Sequence, residues 1–226
     1  MEISIEHDMK MSELVTRHPM LVMMLSRFGI TLGFGDKSVD AVCAMHGVDT
    51  DFFMLICRAY LGVFPSLEQI TATNMDQLVP YLRQSHAYYL SKRLPHIERH
   101  LHHIAERLPA RVAKVFMSFF DGYRQEVSAH FDYEEACVFP HIETLRNRLK
   151  DSYRIDTYVA SHGNIDDKLD DLLQIIFKYL PCTSADDDAL DVVYDILSLS
   201  TDLKNHASVE DRILVPYVKQ LEQTAL

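Results

Sequence analysis

The sequence predicts an all-α protein, an antiparallel four-helix bundle preceded by a small helical domain. Three observations lead there. The 226 residues include only 7 Gly and 8 Pro, with no Trp. The longer segments space their apolar residues three and four apart, the period of one helix face, instead of alternating as a strand does. Short connections separate those long segments, which favours antiparallel neighbours packed as a bundle.

Residues 1–60 form short helical patterns broken by turn signals and define a small accessory domain. Pro19 can open one helix, Gly29–Gly35 ends it, and Ser38 and Thr50 can cap the next two. Residues 61–73, with Gly62, Pro65 and scattered Ser and Thr, make a linker. The bundle follows over residues 74–226. Its four long patterns run over Asn74–Leu108, Ala110–Leu149, Ser152–Leu180 and Asp187–Leu221, separated at Leu108-Pro109, Lys150-Asp151 and Pro181–Asp186.

Charge removes several function classes. With 22 Lys+Arg against 33 Asp+Glu, the formal charge is -11, which repels nucleic-acid phosphate and anionic lipid at long range. No apolar run reaches the roughly 20 residues a membrane helix needs. Met1–Lys10 is acidic where a secretory leader would be basic and then apolar. A soluble, cytoplasmic protein with neither nucleic-acid nor membrane partners is expected. Cys43, Cys57, Cys137 and Cys182 are widely spaced without a Cys-x-x-Cys pair, so reduced thiols are expected.

Two stripes carry the chemistry. In the second long pattern, Tyr123, Val127, His130, Glu134, Cys137 and His141 advance by four and three, the spacing of one core-facing line. In the fourth, Leu199, Leu203, His206, Glu210, Ile213 and Tyr217 do the same. A His and a Glu thus interrupt each apolar face, and buried polar groups must be satisfied. The stretches also match beyond the stripe, because Pro140 and Pro216 each follow their histidine by ten residues. That suggests two related halves of one bundle donating equivalent groups.

Residues four apart share a helix face, so His130 with Glu134, and His206 with Glu210, can each aim a nitrogen and a carboxylate at one point. His86 lies on the stripe of Leu82 and Leu90, and His162 on that of Ile155, Val159, Leu169 and Ile176. Facing residues of an antiparallel pair have their midpoint at the turn. The midpoints of 86 and 130, of 130 and 162, and of 162 and 206 fall at 108, 146 and 184, at or near the three connections. The four histidines therefore share one layer. A lone histidine there would be an ordinary hydrogen-bonded core residue, but six polar groups at one level call for compensating cations. Unpaired carboxylates would cost several kcal/mol each, and no Lys or Arg lies on these inner positions. Imidazole and carboxylate without thiolate pairs suit iron, manganese or zinc, and open positions on a redox-active ion favour two irons.

These residues resemble hemerythrin-like proteins, and more narrowly the iron-sulfur cluster repair family, in which a helical N-terminal domain precedes a di-iron bundle. The resemblance covers nearly the whole chain. It implies a ligand order of His, His-x3-Glu, His, His-x3-Glu, filled here by His86, His130 with Glu134, His162, and His206 with Glu210, the two glutamates bridging the irons. Oxygen carriers of the wider group place His-x3-His on the third helix, where this chain has Asp166, and His-x4-Asp on the fourth, a spacing Asp211 keeps. Either Glu210 or Asp211 can be the fourth-helix carboxylate, and Glu210 repeats the His130–Glu134 spacing. Met11–Val15, Arg27-Phe28-Gly29-Ile30 and Ser38–Gly47 with Val48-Asp49 resemble the accessory domain, but Gly33 and Phe34 stand where that family has a Cys-Cys pair.

The resemblance implies defence against nitrosative or oxidative damage to iron-sulfur proteins, by supplying iron or by binding and reducing nitric oxide. Oxygen, nitric oxide or peroxide would be the small ligands, iron-sulfur proteins the clients, and a homodimer the assembly. The first alternative is an oxygen, nitric oxide or iron sensor signalling through the N-terminal domain, and the second is an interaction module with a vestigial site. Beside the main site, His96, His100 and His103 share a face with His102 next to them and could be a second metal-binding patch, though a solvated surface with adventitious metal affinity is the favoured reading, and Cys137 reads as a packing thiol. Asp166 could be an extra ligand or an outer hydrogen-bond acceptor, and Glu135 and Asp211 could orient ligands through hydrogen bonds, with surface positions the favoured reading for all three. Tyr88, Tyr89, Tyr123, Tyr133 and Tyr217 read as core rings with satisfied hydroxyls.

Overall fold

The computed structural model describes residues 5–161, 167–179 and 187–224, and every regular element among them is helical. The all-α class holds. The only β-type pairing among the described residues is an isolated antiparallel bridge between Lys10 and Ser38.

The N-terminal part consists of short helices, Met11–Arg17, Val22–Leu25, Val39–Met45, Thr50–Tyr60 and Leu67–Ala72, with 3-10 turns at Pro19–Leu21 and Ser26–Phe28. Pro19 opens its turn as expected. Gly29 closes the next with φ 68°, a left-handed conformation that costs glycine little. Ser38 caps Val39–Met45, its hydroxyl accepting from Ala41 N at 3.2 Å. The following cap is Asp49, not Thr50. Its carboxylate accepts from Phe52 N at 2.9 Å, and Thr50 becomes the first helical residue. A carboxylate at that point also meets the positive end of the helix dipole, so the displacement by one residue has a physical reason.

Contacts divide the chain into two compact units, one made of Met1–Ser85, Ile142–Ile155 and Asn205–Leu226, the other of His86–His141 and Asp156–Lys204. In the first, Phe28, Phe52, Phe53 and Tyr81 pack edge-on and tilted, with ring centroids 4.8–6.3 Å apart. Tyr81 donates its hydroxyl to that of Tyr60 at 3.0 Å. The Ile155 backbone N–H donates to Glu222 Oε1 at 2.9 Å, and Arg83 pairs with Glu143 at 3.3 Å.

The second unit is where four helical rods share one core. Leu94, Ile97, Leu101 and Ile104 meet Phe116, Phe120, Tyr123 and Val127, together with Leu169, Leu172 and Ile176 and with Val192, Ile196, Leu199 and Leu203. Each set advances by three or four, as a buried helix face must. Each fully buried Leu or Phe contributes about 1.5–3 kcal/mol, so the rods are held by packing and not by helix propensity alone.

The long patterns are not uniform helices. The first is Leu78–Tyr88, a π turn Tyr89–Arg93, then Leu94–Ala105. The second is Ala110–Tyr133, a π turn Glu134–Val138, then Phe139–Arg146. The last is Asp187–Val209, a π turn Glu210–Leu214, then Val215–Thr224. In each, a backbone N–H reaches five residues back, from Leu94 to Tyr89, from Phe139 to Glu134 and from Val215 to Glu210. One residue separates each from a proline, Pro95, Pro140 or Pro216. Proline has no N–H and crowds the carbonyl four residues back, so regular winding cannot run through it. A widened turn relieves that crowding. The third pattern is described as Ile155–Ser161 and Asp167–Tyr179; its expected connection Pro181–Asp186, with Cys182, lies outside the described residues.

Candidate metal centre

Glu134 is fully buried and opens the second π turn. Its two oxygens face different imidazoles. Oε1 lies 3.0 Å from Nε2 of His130, one turn earlier on the same face, and Oε2 lies 3.0 Å from Nε2 of His86 on the first rod. Oε1 also accepts the hydroxyl of Tyr158 at 2.7 Å. A carboxylate that presents one oxygen to each of two nitrogen ligands has the geometry to bridge two cations.

His86 is set for that role by its surroundings. Its ring lies between Phe131 and Phe139, stacked with centroids 4.1 and 5.5 Å away. Its Nδ1 lies 3.1 Å from Glu135 Oε1. A carboxylate accepts only, so Nδ1 carries a proton and donates it to Glu135. In a neutral ring, Nε2 then turns a lone pair towards Glu134 Oε2, and something positive must lie between them. A carboxylate that orients the far nitrogen of a ligating histidine is the usual support of a metal site. A doubly protonated His86 held by both carboxylates is the metal-free arrangement of the same atoms.

The second His-x3-Glu repeats the pattern. His206 Nε2 lies 3.0 Å from Glu210 Oε1, and both residues are buried. Glu210, like Glu134, is the first residue of a π turn. Asp211, the other candidate carboxylate, is exposed. His86 and Glu134 are buried in one compact unit and His206 and Glu210 in the other, each pair offering a nitrogen and a carboxylate that could serve a metal ion. His130 stands half-buried within reach of Glu134. The expected third-rod ligand, His162, and its neighbour Asp166 lie outside the described residues.

Sequence reasoning missed Tyr158, and for Glu135 it favoured the surface over the ligand-orienting role it also offered. Both touch this site. The signal for Tyr158 was its position four residues before His162, a spacing that shares a helix face. The other tyrosines are placed as core or rim. Tyr89 is buried and donates to the Asp202 carbonyl at 3.2 Å, and Tyr123 is buried. Tyr88, Tyr133 and Tyr217 are half-buried, and burial pushes the Tyr217 phenol above its ordinary value. Cys137 is a free, half-buried thiol.

The fold and this donor set define an all-α cation-binding bundle. Residues 73–218 match the Hemerythrin HHE cation binding domain, well over half of the chain, so the chain belongs to the hemerythrin family. The domain binds metal cations, typically iron. No curated protein matches the chain.

Proposed function

We propose that this chain is a non-haem di-iron protein of the nitrosative and oxidative stress response, with His86, His130, Glu134, His162, His206 and Glu210 as ligands and the two glutamates as bridges. The observation that carries this reading is Glu134, buried, with each oxygen 3.0 Å from a different imidazole. Two redox-active irons held there would supply binding positions for oxygen, nitric oxide or peroxide. The protein's own contribution is to fix the donors. Phe131 and Phe139 clamp His86 between them, Glu135 holds its far nitrogen, and Tyr158 fixes one oxygen of Glu134. Manganese or zinc would fit the same donors.

The cellular role we infer is repair of iron-sulfur clusters, by iron supply or by binding and reducing nitric oxide, in the cytoplasm and as a homodimer. Among the described residues no helix is long and apolar enough to cross a membrane. Metal analysis and optical spectroscopy of anaerobically purified protein, before and after nitric oxide, test the reading. Two irons per chain and a spectral change on exposure are expected. A H130A/H206A double variant that kept two irons would sink the ligand set.

One observation favours the sensor reading. Gly33 and Phe34 occupy the place of the Cys pair, and Cys43 and Cys57 are buried, with burial raising both thiols. An N-terminal part with no accessible thiolate is suited to contact, not to thiol exchange. Binding of a partner that changes with nitric oxide, without consumption of the gas, would select this reading.

A further inference from the structure

The structure brings together a second set of metal-ligating side chains that the main site does not use. His96 and His100 lie one turn apart on the helix Leu94–Ala105, and Asp195 reaches them from the helix Asp187–Val209. One ligand atom from each lies within 4.8 Å of the others, and all three residues are half-buried. The two imidazoles are close neighbours, with centroids 4.6 Å apart. His96 Nε2 is 3.0 Å from Asp195 Oδ2. Ligands held about 2.1 Å from one tetrahedral ion sit about 3.4 Å from each other, so this edge is nearly formed and only His100 must turn.

We infer that His96, His100 and Asp195 form a three-ligand site for a divalent transition-metal ion of the zinc type, separate from the hemerythrin centre.

Three features support it. The carboxylate is positioned before any ion arrives, because Arg93 binds Asp195 Oδ1 at 3.1 Å and its backbone carbonyl at 3.1 Å and leaves Oδ2 to His96. Such outer contacts orient a ligand. Nδ1 of His100 is buried and has no hydrogen-bond partner among the described residues, so this ring has unmet polar capacity. A cavity of about 480 Å³ lined by Tyr88, Ser91, Lys92, Arg93, His96 and Arg99 adjoins the site and leaves room for water or an anion as the fourth ligand.

Arg99 lies 3.2 Å from His96 Nδ1, and a guanidinium only donates, so in the metal-free chain the ring proton sits on Nε2 and goes to Asp195. An ion at Nε2 moves that proton to Nδ1 and displaces Arg99, whose side chain is exposed and free to leave. His102 and His103, on the same helix, are exposed and outside the cluster.

Zinc titration of the full chain against a chromophoric chelator tests the inference, because it counts equivalents whatever fills the main centre. The native chain should bind one more equivalent than H96A/H100A, and D195N should weaken that equivalent at least tenfold. H103A should keep it. Equal stoichiometry in native protein and H96A/H100A, or loss of the same equivalent in H103A, overturns the site. If H96A/H100A does not fold, D195N alone decides, and unchanged affinity there overturns it equally.

Discussion

Tyr158 gives its hydroxyl to Glu134 at 2.7 Å, on the same oxygen that faces His130. This phenol therefore settles how Glu134 divides its oxygens between two histidines. A hydrogen bond to a charged group is worth about 1.5–3 kcal/mol. Tyr158→Phe should lower stability by that order in urea denaturation. It should also shift the optical bands of the loaded centre while leaving metal stoichiometry unchanged. Unaltered bands would show that Tyr158 does not set the carboxylate.

Glu135 holds the far nitrogen of His86, a proposed ligand, without being one itself. Loss of such a partner lowers metal affinity about 10- to 100-fold. Glu135→Gln keeps the shape and removes the charge, so chelator competition should place it at the lower end of that range and Glu135→Ala at the upper. Native affinity in both variants would remove Glu135 from the site.

The π turns make a prediction in two opposite directions. Pro140→Ala restores an N–H and a good helix former just after Glu134–Val138. The metal-free chain should become more stable by up to about 3 kcal/mol, the usual penalty of proline within a helix. Metal binding should weaken, because regular winding rotates Glu134 relative to the residues beyond it. Urea midpoints and chelator competition, measured on the same sample, read both effects.

Cys43 gives a pH dependence with a definite sign. Burial pushes its thiol up to about 12 from an ordinary 9.0, and Cys57 is raised too. The folded state holds these protons more tightly than the unfolded chain does. Their contribution is fully present below about pH 9 and is lost as pH climbs towards 12, at about 1.4 kcal/mol per pH unit for each thiol. Urea midpoints should fall between pH 9 and 10.5, and Cys43→Ala should flatten the slope.

Much of this molecule was legible in the sequence because helix faces repeat. The stripes through Leu199, Leu203, His206, Glu210 and Ile213 are buried as their spacing required. The proximity of His130 to Glu134 and of His206 to Glu210 follows from a four-residue step. What spacing could not show was anything that depends on the third dimension. The pairing of Asp195 with His96 joins residues 99 positions apart with no periodic relation. Glu135 is adjacent to a core residue, and periodicity puts it on the outer face; it reaches His86 because the rod widens at Glu134–Val138. The matched prolines after both histidines were visible as a repeat, but only backbone hydrogen bonds reveal that they mark widened turns.

Those widened turns also set how the rods tolerate change in length. Each accommodates one residue more than regular winding would need. Deleting a single position from Glu134–Val138 would therefore leave an unbroken helix with every side chain downstream on its original face, whereas the same deletion in regular winding would swing them by about 100° around the axis. A residue can thus be lost at the turns that carry Glu134 and Glu210 while the apolar seam beyond them stays in register.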